Sequence, residues 1–182
     1  MKLEPSESFP SCNQIVDSSI LHRFMLGGQA TLILLAPSGT YHTYCIDRPK
    51  NQGQFPDDVR FVYCLHQGKK FYLGMIEGDE FRLTAHSRFL PESEVVKGAY
   101  YLMKLAANQL LLSSTKMQVF HTGKCARCGR SLSGAKALSW GFGKKCLQRV
   151  IIKELANPEG LKTITQQLSL ADIWFDSSNN VE

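Results

Sequence analysis

His121-Thr-Gly-Lys-Cys125-Ala-Arg-Cys128-Gly-Arg130, answered by Cys146 further along, is the stretch on which the reading of this chain turns. It offers one imidazole and three thiols. Two of the thiols share a Cys-x-x-Cys turn, and Gly129 stands directly behind it. Tetrahedral Zn²⁺ takes this donor set in closed, structural sites. The spacing predicts one structural zinc per chain, bound by His121, Cys125, Cys128 and Cys146. A closed site leaves no position for water, so the metal is expected to hold structure rather than to do chemistry.

Two other uses of the cysteines compete with this reading. Six cysteines permit three disulfides, but Cys12, Cys45 and Cys64 are isolated, and two of them sit in strand-like runs. The opening MKLEPSESFPSC has no apolar core of a secretory signal, so an oxidising compartment is not expected. Clustered cysteines then read as metal ligands and lone ones as small apolar residues. A redox Cys-x-x-Cys needs a helix starting at the first thiol. Here the motif runs instead into Gly129-Arg-Ser-Leu-Ser-Gly134, which is turn chemistry. Cys146 precedes Leu147, Val150, Ile151 and Leu155, a helical stripe, which places it in a first turn where the helix dipole favours a thiolate. His121 ends the strand-like run Met117-Gln-Val-Phe120 close before the knuckle. Strand, knuckle, loop and helix in that order make a treble-clef-like plan.

The rest of the chain reads as an α+β domain. Residues 1–17, rich in Ser, Pro and Glu, are expected to be disordered. Ser18 and Ser19 are candidate caps for a helix carrying Ile20, Leu21, Phe24 and Met25, ended by Gly27-Gly28. Strand signals follow at Gln29–Ala36, Thr40–Ile46, Val59–Leu65, Phe71–Ile76 and Glu80–Thr84, separated by turns. Their alternation predicts an antiparallel meander of about five strands. A helix is expected from Pro91, with Glu92 and Glu94 in its first turn and Val95, Ala99, Leu102, Met103, Ala106 and Leu110 as its stripe, lying across the sheet. The boundaries drawn are 1–17, an α+β domain over 18–115, a zinc module over 116–156, and a C-terminal helix and tail over 157–182. That last helix carries Leu161, Ile164 and Leu168, and the tail carries Trp174. His42, His66 and His86 read as sheet or loop histidines, and no catalytic triad emerges from local spacing.

Charge is distributed unevenly. Nine of the 21 basic residues fall between Lys116 and Lys153, where there is no Asp or Glu. With three thiolates and Zn²⁺ the module carries about +8, which attracts polyanions. Lys124, Arg127, Arg130, Lys144, Lys145 and Arg149 are the candidate partner-binding residues. With 43% hydrophobic residues the chain can bury a core, and its longest apolar run, Ala30 to Ala36, is too short to cross a bilayer.

These residues resemble a family of small proteins of phages, plasmids and other mobile elements. Its members join a β-rich front part to a module of the form His-x-Gly-x-Cys-x-x-Cys-Gly-Arg-x-Leu, closing on Gly-x-Gly-x-x-Cys. Here the front part matches at Gly28-Gln-Ala30-Thr31, Ser38-Gly39-Thr-Tyr-His-Thr43-Tyr44, Phe61-Val62 and Tyr72-Leu-Gly74. The module matches from His121 to Leu132 and again at Gly141-Phe-Gly143-Lys-Lys-Cys146. The similarity covers roughly residues 28–150. Where the family usually has Pro-Glu-Ser and Pro-Glu, this chain has Ala135-Lys-Ala137 and Lys144-Lys145, so its positive patch is its own. The resemblance implies zinc and a mobile-element origin, and it brings no reaction. The expectation is therefore a non-enzymatic protein in the bacterial cytoplasm that inhibits a host-defence protein such as a CRISPR nuclease. A nucleic-acid-binding accessory protein of phage replication or regulation is the alternative. An enzyme is not expected, because a zinc nuclease or deaminase needs an open metal position or a carboxylate base beside it.

Overall fold

Alternating side chains lay the middle of the chain down as a meander. In the computed structural model, which describes residues 13–107 and 115–155, five strands pair antiparallel in succession. They are β2 (Gln29–Leu35), β3 (Tyr41–Asp47), β4 (Arg60–His66), β5 (Lys69–Glu77) and β6 (Glu80–Leu83). Gln67 and Gly68, both at positive φ, make the tight turn between β4 and β5.

The sheet has seven strands rather than five. β1 (Gln14–Ile15) and β7 (Gln118–His121) extend it beyond β2, in the order β1-β7-β2-β3-β4-β5-β6. Ile15 pairs with Val119, and Phe120 pairs with Ile33. Gln14 and Ile15, within the segment expected from sequence to be disordered, are thus held by an edge pairing. The strand-like run before the knuckle, which sequence assigned to the zinc module, lies within the main sheet.

Two helices cover one face of the sheet. α1 (Ser18–Leu26) is capped by Asp17 rather than by Ser18 or Ser19. The Asp17 carboxylate accepts from the amides of Ser19 at 2.7 Å and Ile20 at 3.2 Å, and a carboxylate suits a helix N-terminus doubly, as acceptor and as charge. At the other end the buried Arg60 donates to the Leu26 carbonyl from Nε at 3.0 Å and Nη2 at 2.8 Å. Its Nη1 donates to the carbonyls of Asp57 and Val59, both at 2.7 Å. Burial lowers the guanidinium pKa to about 10, still far above neutrality. A buried cation therefore closes the negative end of α1.

α2 (Glu94–Ala106) begins at Glu94, later than the Pro91 start read from sequence, and Ser93 takes the capping position. Its inner side buries Val95, Val96, Ala99, Leu102, Met103, Leu105 and Ala106. Tyr44, with no exposed surface, donates from its hydroxyl to the Val95 carbonyl at 2.9 Å. A Cβ at Gly98 would lie 2.1 Å from that hydroxyl oxygen, so this helix position accepts only glycine while Tyr44 stands there.

Two short helices follow the knuckle: α3 (Ala135–Trp140) and α4 (Lys144–Leu155). The first was not foreseen, because six residues are too few to show a helical stripe. The chain divides into two compact units, Met1–Lys144 and Lys145–Glu182, the second described through α4. Leu110, Cys12, the expected C-terminal helix and the Trp174 tail lie outside the described residues. Among the described residues no helix is long and apolar enough to cross a membrane.

Gly98→Ala should destabilise the protein by about 1–3 kcal/mol, the usual range for overpacking. Tyr44→Phe removes the clashing oxygen, so Gly98→Ala combined with Tyr44→Phe should lose less than the two single changes added together. Strict additivity in urea titrations would show that the two residues do not meet.

Candidate metal centre

β7 feeds directly into a hairpin built around the two knuckle cysteines. The Cys125 amide donates to the Arg130 carbonyl, and the Leu132 amide donates to the Gly123 carbonyl, each at 2.8 Å. Lys124 and Ser131 form a bridge between the two arms. The Gly129 amide returns to the Cys125 carbonyl at 2.9 Å, with Gly129 at φ +70, a backbone that favours glycine.

The hairpin is fastened to the sheet and to α1. Ala126, between the two cysteines, is fully buried. Its carbonyl accepts from the Gln29 amide at 2.6 Å, and its own amide donates to the Gly141 carbonyl at 3.0 Å. A Cβ on Gly27 would come within 2.9 Å of Ala126, so α1 must end in glycine for the knuckle to approach. These contacts hold Cys125 buried while Cys128 stays exposed.

The sulfurs of Cys125, Cys128 and Cys146 all lie within 4.8 Å of one another, close enough to hold a metal ion. Cys146 sits in the first turn of α4, as its stripe predicted. A metal–thiolate bond of ~2.3 Å in a tetrahedral site puts sulfurs ~3.8 Å apart, which this cluster accommodates with small side-chain adjustments. Among the described residues no other His, Asp or Glu atom joins the three thiols. Cys45 and Cys64 are buried free thiols. Cys45 and Cys64 sit on neighbouring strands, where Cys45 pairs with Tyr63 and Cys64 with Tyr44, so the two side chains occupy opposite faces.

His121, expected as the fourth ligand, is placed differently. β7 sets it opposite Leu32 and turns it toward α1, where its ring lies 5.4 Å from that of Phe24. Its Nε2 donates to the Leu138 carbonyl at 2.7 Å, and its Nδ1 accepts from the Gly123 amide at 3.0 Å. These partners fix the neutral Nε2–H tautomer, and burial holds the pKa below the usual histidine value. In this arrangement both nitrogens serve the backbone, bracing α3 and the entry to the knuckle. Strand alternation decides this placement, and proximity along the chain did not reveal it.

The candidate partner-binding residues divide between the two units. Lys124 and Arg130 are exposed on the hairpin and Arg127 is half-buried there. Among the described residues these three form no ion pair. Lys144 and Lys145 are exposed at the start of α4, and Arg149 is exposed one turn on. His42 is half-buried in β3, while His66 and His86 are exposed, and none of the three joins a metal-binding group among the described residues. Sequence reasoning did not show that Gly27, Ala126 and Gly141 are the small residues that seat the knuckle. Gly27 was legible only as a helix end. No known family model, curated protein or solved structure matches this chain.

Cys125→Ser should lower metal content well below one per chain and depress the melting temperature, because metal binding is part of the folding free energy. His121→Ala should keep the metal and still lose on the order of 3 kcal/mol, from two lost hydrogen bonds and a cavity. Elemental analysis beside thermal denaturation separates the two. Loss of metal from the His121 variant would make it a ligand.

Proposed function

We propose that this chain is a non-catalytic binding protein whose metal-stapled knuckle presents a rigid basic surface to a polyanionic or acidic partner. The closeness of Cys146 to the two thiols of a hairpin that also carries Lys124, Arg127 and Arg130 supports this most directly. Zinc is the metal we propose, because a thiol-dominated set suits it. Its part is structural. It fixes the hairpin, and charges on a fixed support lose less entropy on binding than charges on a flexible tail. There is no Asp or Glu from Lys116 to Lys153 to act as a general base beside the metal, which favours binding over catalysis.

For the partner we propose a nucleic-acid-handling nuclease of host defence. The mobile-element resemblance supports this, and so does the fit of a basic module to channels and acidic clusters of such enzymes. The compartment would then be the bacterial cytoplasm. Direct binding of nucleic acid is the second reading, favoured by knuckle charges that form no ion pair among the described residues and by the aromatic sheet face described below.

Charge reversal at Lys124 and Arg130 should weaken retention on heparin and binding to any captured partner by about tenfold or more, beyond the ~1 kcal/mol of ordinary exposed charges. Metal content and melting temperature should stay near those of the parent. A variant that is folded, metal-loaded and fully binding would show that these side chains are merely solvated.

A further inference from the structure

The sheet face opposite α1 and α2 carries a ladder of aromatic rings beside the knuckle. Phe55 packs edge-on against Phe61 at 5.2 Å, Phe61 against Tyr72 at 5.9 Å, and Tyr72 against Tyr63 at 5.7 Å. All four rings are half-buried rather than enclosed. Register ties them to the knuckle. Thr31 of β2 lies opposite Cys45, Cys45 opposite Tyr63, and Tyr63 opposite Tyr72, so these residues form one row across four strands. The neighbouring row runs Gln29, Asp47, Phe61. At its knuckle end Gln29 binds Ala126, and a Cβ on Gly129 would meet the Gln29 side-chain oxygen at 2.6 Å.

Basic groups border the same rows. Lys70 lies 5.6 Å from the centre of the Tyr63 ring and pairs with Asp47 at 2.5 Å, which neutralises that carboxylate. Burial pushes the Cys45 thiol up, and the charges of Lys70 and Lys124 both act on it in the opposite direction. Cys45 therefore lies in the field of the sheet lysine and of the knuckle lysine together. From β2, to which the knuckle is bonded at Gln29, to the strand of Tyr72 the sheet crosses three strand spacings, ~14 Å, with positive charge at the start and π-faces at the end.

We propose that this surface binds single-stranded nucleic acid, with phosphates on Lys124, Arg130 and Lys70 and bases stacked on Tyr63, Tyr72 and Phe61. Every base has a π-face, so an aromatic row flanked by cations accepts a strand with little regard to sequence. A duplex hides its base faces and engages only the charges. The knuckle alone offers few rings for stacking, and the sheet supplies them across a continuous face. The proposal takes its phosphate contacts from the basic-knuckle reading above but places the discriminating contact on the sheet.

Fluorescence anisotropy with a labelled oligothymidine and with the same strand in a duplex tests it on the full metal-loaded chain. Tyr63→Ala with Tyr72→Ala should weaken single-strand binding about tenfold or more, as loss of base stacking does, and leave duplex binding near the parent's. Tyr63→Leu with Tyr72→Leu keeps apolar bulk without a π-face and should behave the same, which covers the chance that the alanine pair unfolds. Lys124→Glu with Arg130→Glu should weaken both substrates. Unchanged single-strand binding in the folded leucine pair, with loss in the charge-reversed pair, would overturn the sheet proposal and leave the basic knuckle standing. A parent protein that binds neither oligonucleotide nor heparin would overturn both. Binding of poly-glutamate through Tyr63 and Tyr72 in place of oligothymidine would point to an acidic protein and likewise overturn it.

Discussion

Phe24 sits at the junction on which the rest of the first unit depends. Its ring lies 5.4 Å from His121 at the end of β7 and 6.0 Å edge-on from Phe142. Gly141 approaches so closely that a Cβ there would lie 2.3 Å from the ring. One helical turn later Gly27 makes the same kind of approach to Ala126. Helix α1, the sheet and the knuckle are therefore packed as one piece, with a buried aromatic in the middle and glycines where backbones must touch. Dense packing of this kind transmits a local change instead of absorbing it.

That junction explains why a short metal hairpin can hold a working surface. A free knuckle would present its charges on a small mobile hairpin. Here the Gln29–Ala126 hydrogen bond and the His121 ring set the hairpin at the ends of β7 and β2 in a seven-stranded sheet. Lys124 and Arg130 are then positioned by the same core that positions Tyr63 and Tyr72. Phe24, Ala126 and His121 anchor the hairpin from within.

Much of this was legible in the sequence, and the failures share a cause. The five meander strands and the stripes of α1 and α2 are local periodicities, so they could be read directly. β1 was hidden because two residues show no alternation and its pairing with β7 is long-range. Asp17 was passed over for two serines that follow it, although it alone has the extended backbone of a cap. The Cys125, Cys128 and Cys146 cluster was readable because ligand spacing is itself a local signal and a helix start fixes the third thiol. His121 stands apart from the three-thiol group because the register against Leu32, and not nearness in sequence, decides which face of a strand a side chain takes. The aromatic ladder is likewise a product of register, since Phe61, Tyr63 and Tyr72 become neighbours only when β4 meets β5.

Amide hydrogen exchange on metal-loaded and chelator-stripped protein tests the central claim, that the knuckle is continuous with the core rather than appended to it. Stripping the metal should raise exchange at Cys125, Ala126 and Gly129, and also at Gln29 and in β7, where the hairpin is anchored. Exchange that rises only within residues 123–132, with Gln29 and β7 as protected as before, would contradict the account and make the metal hairpin an independent module.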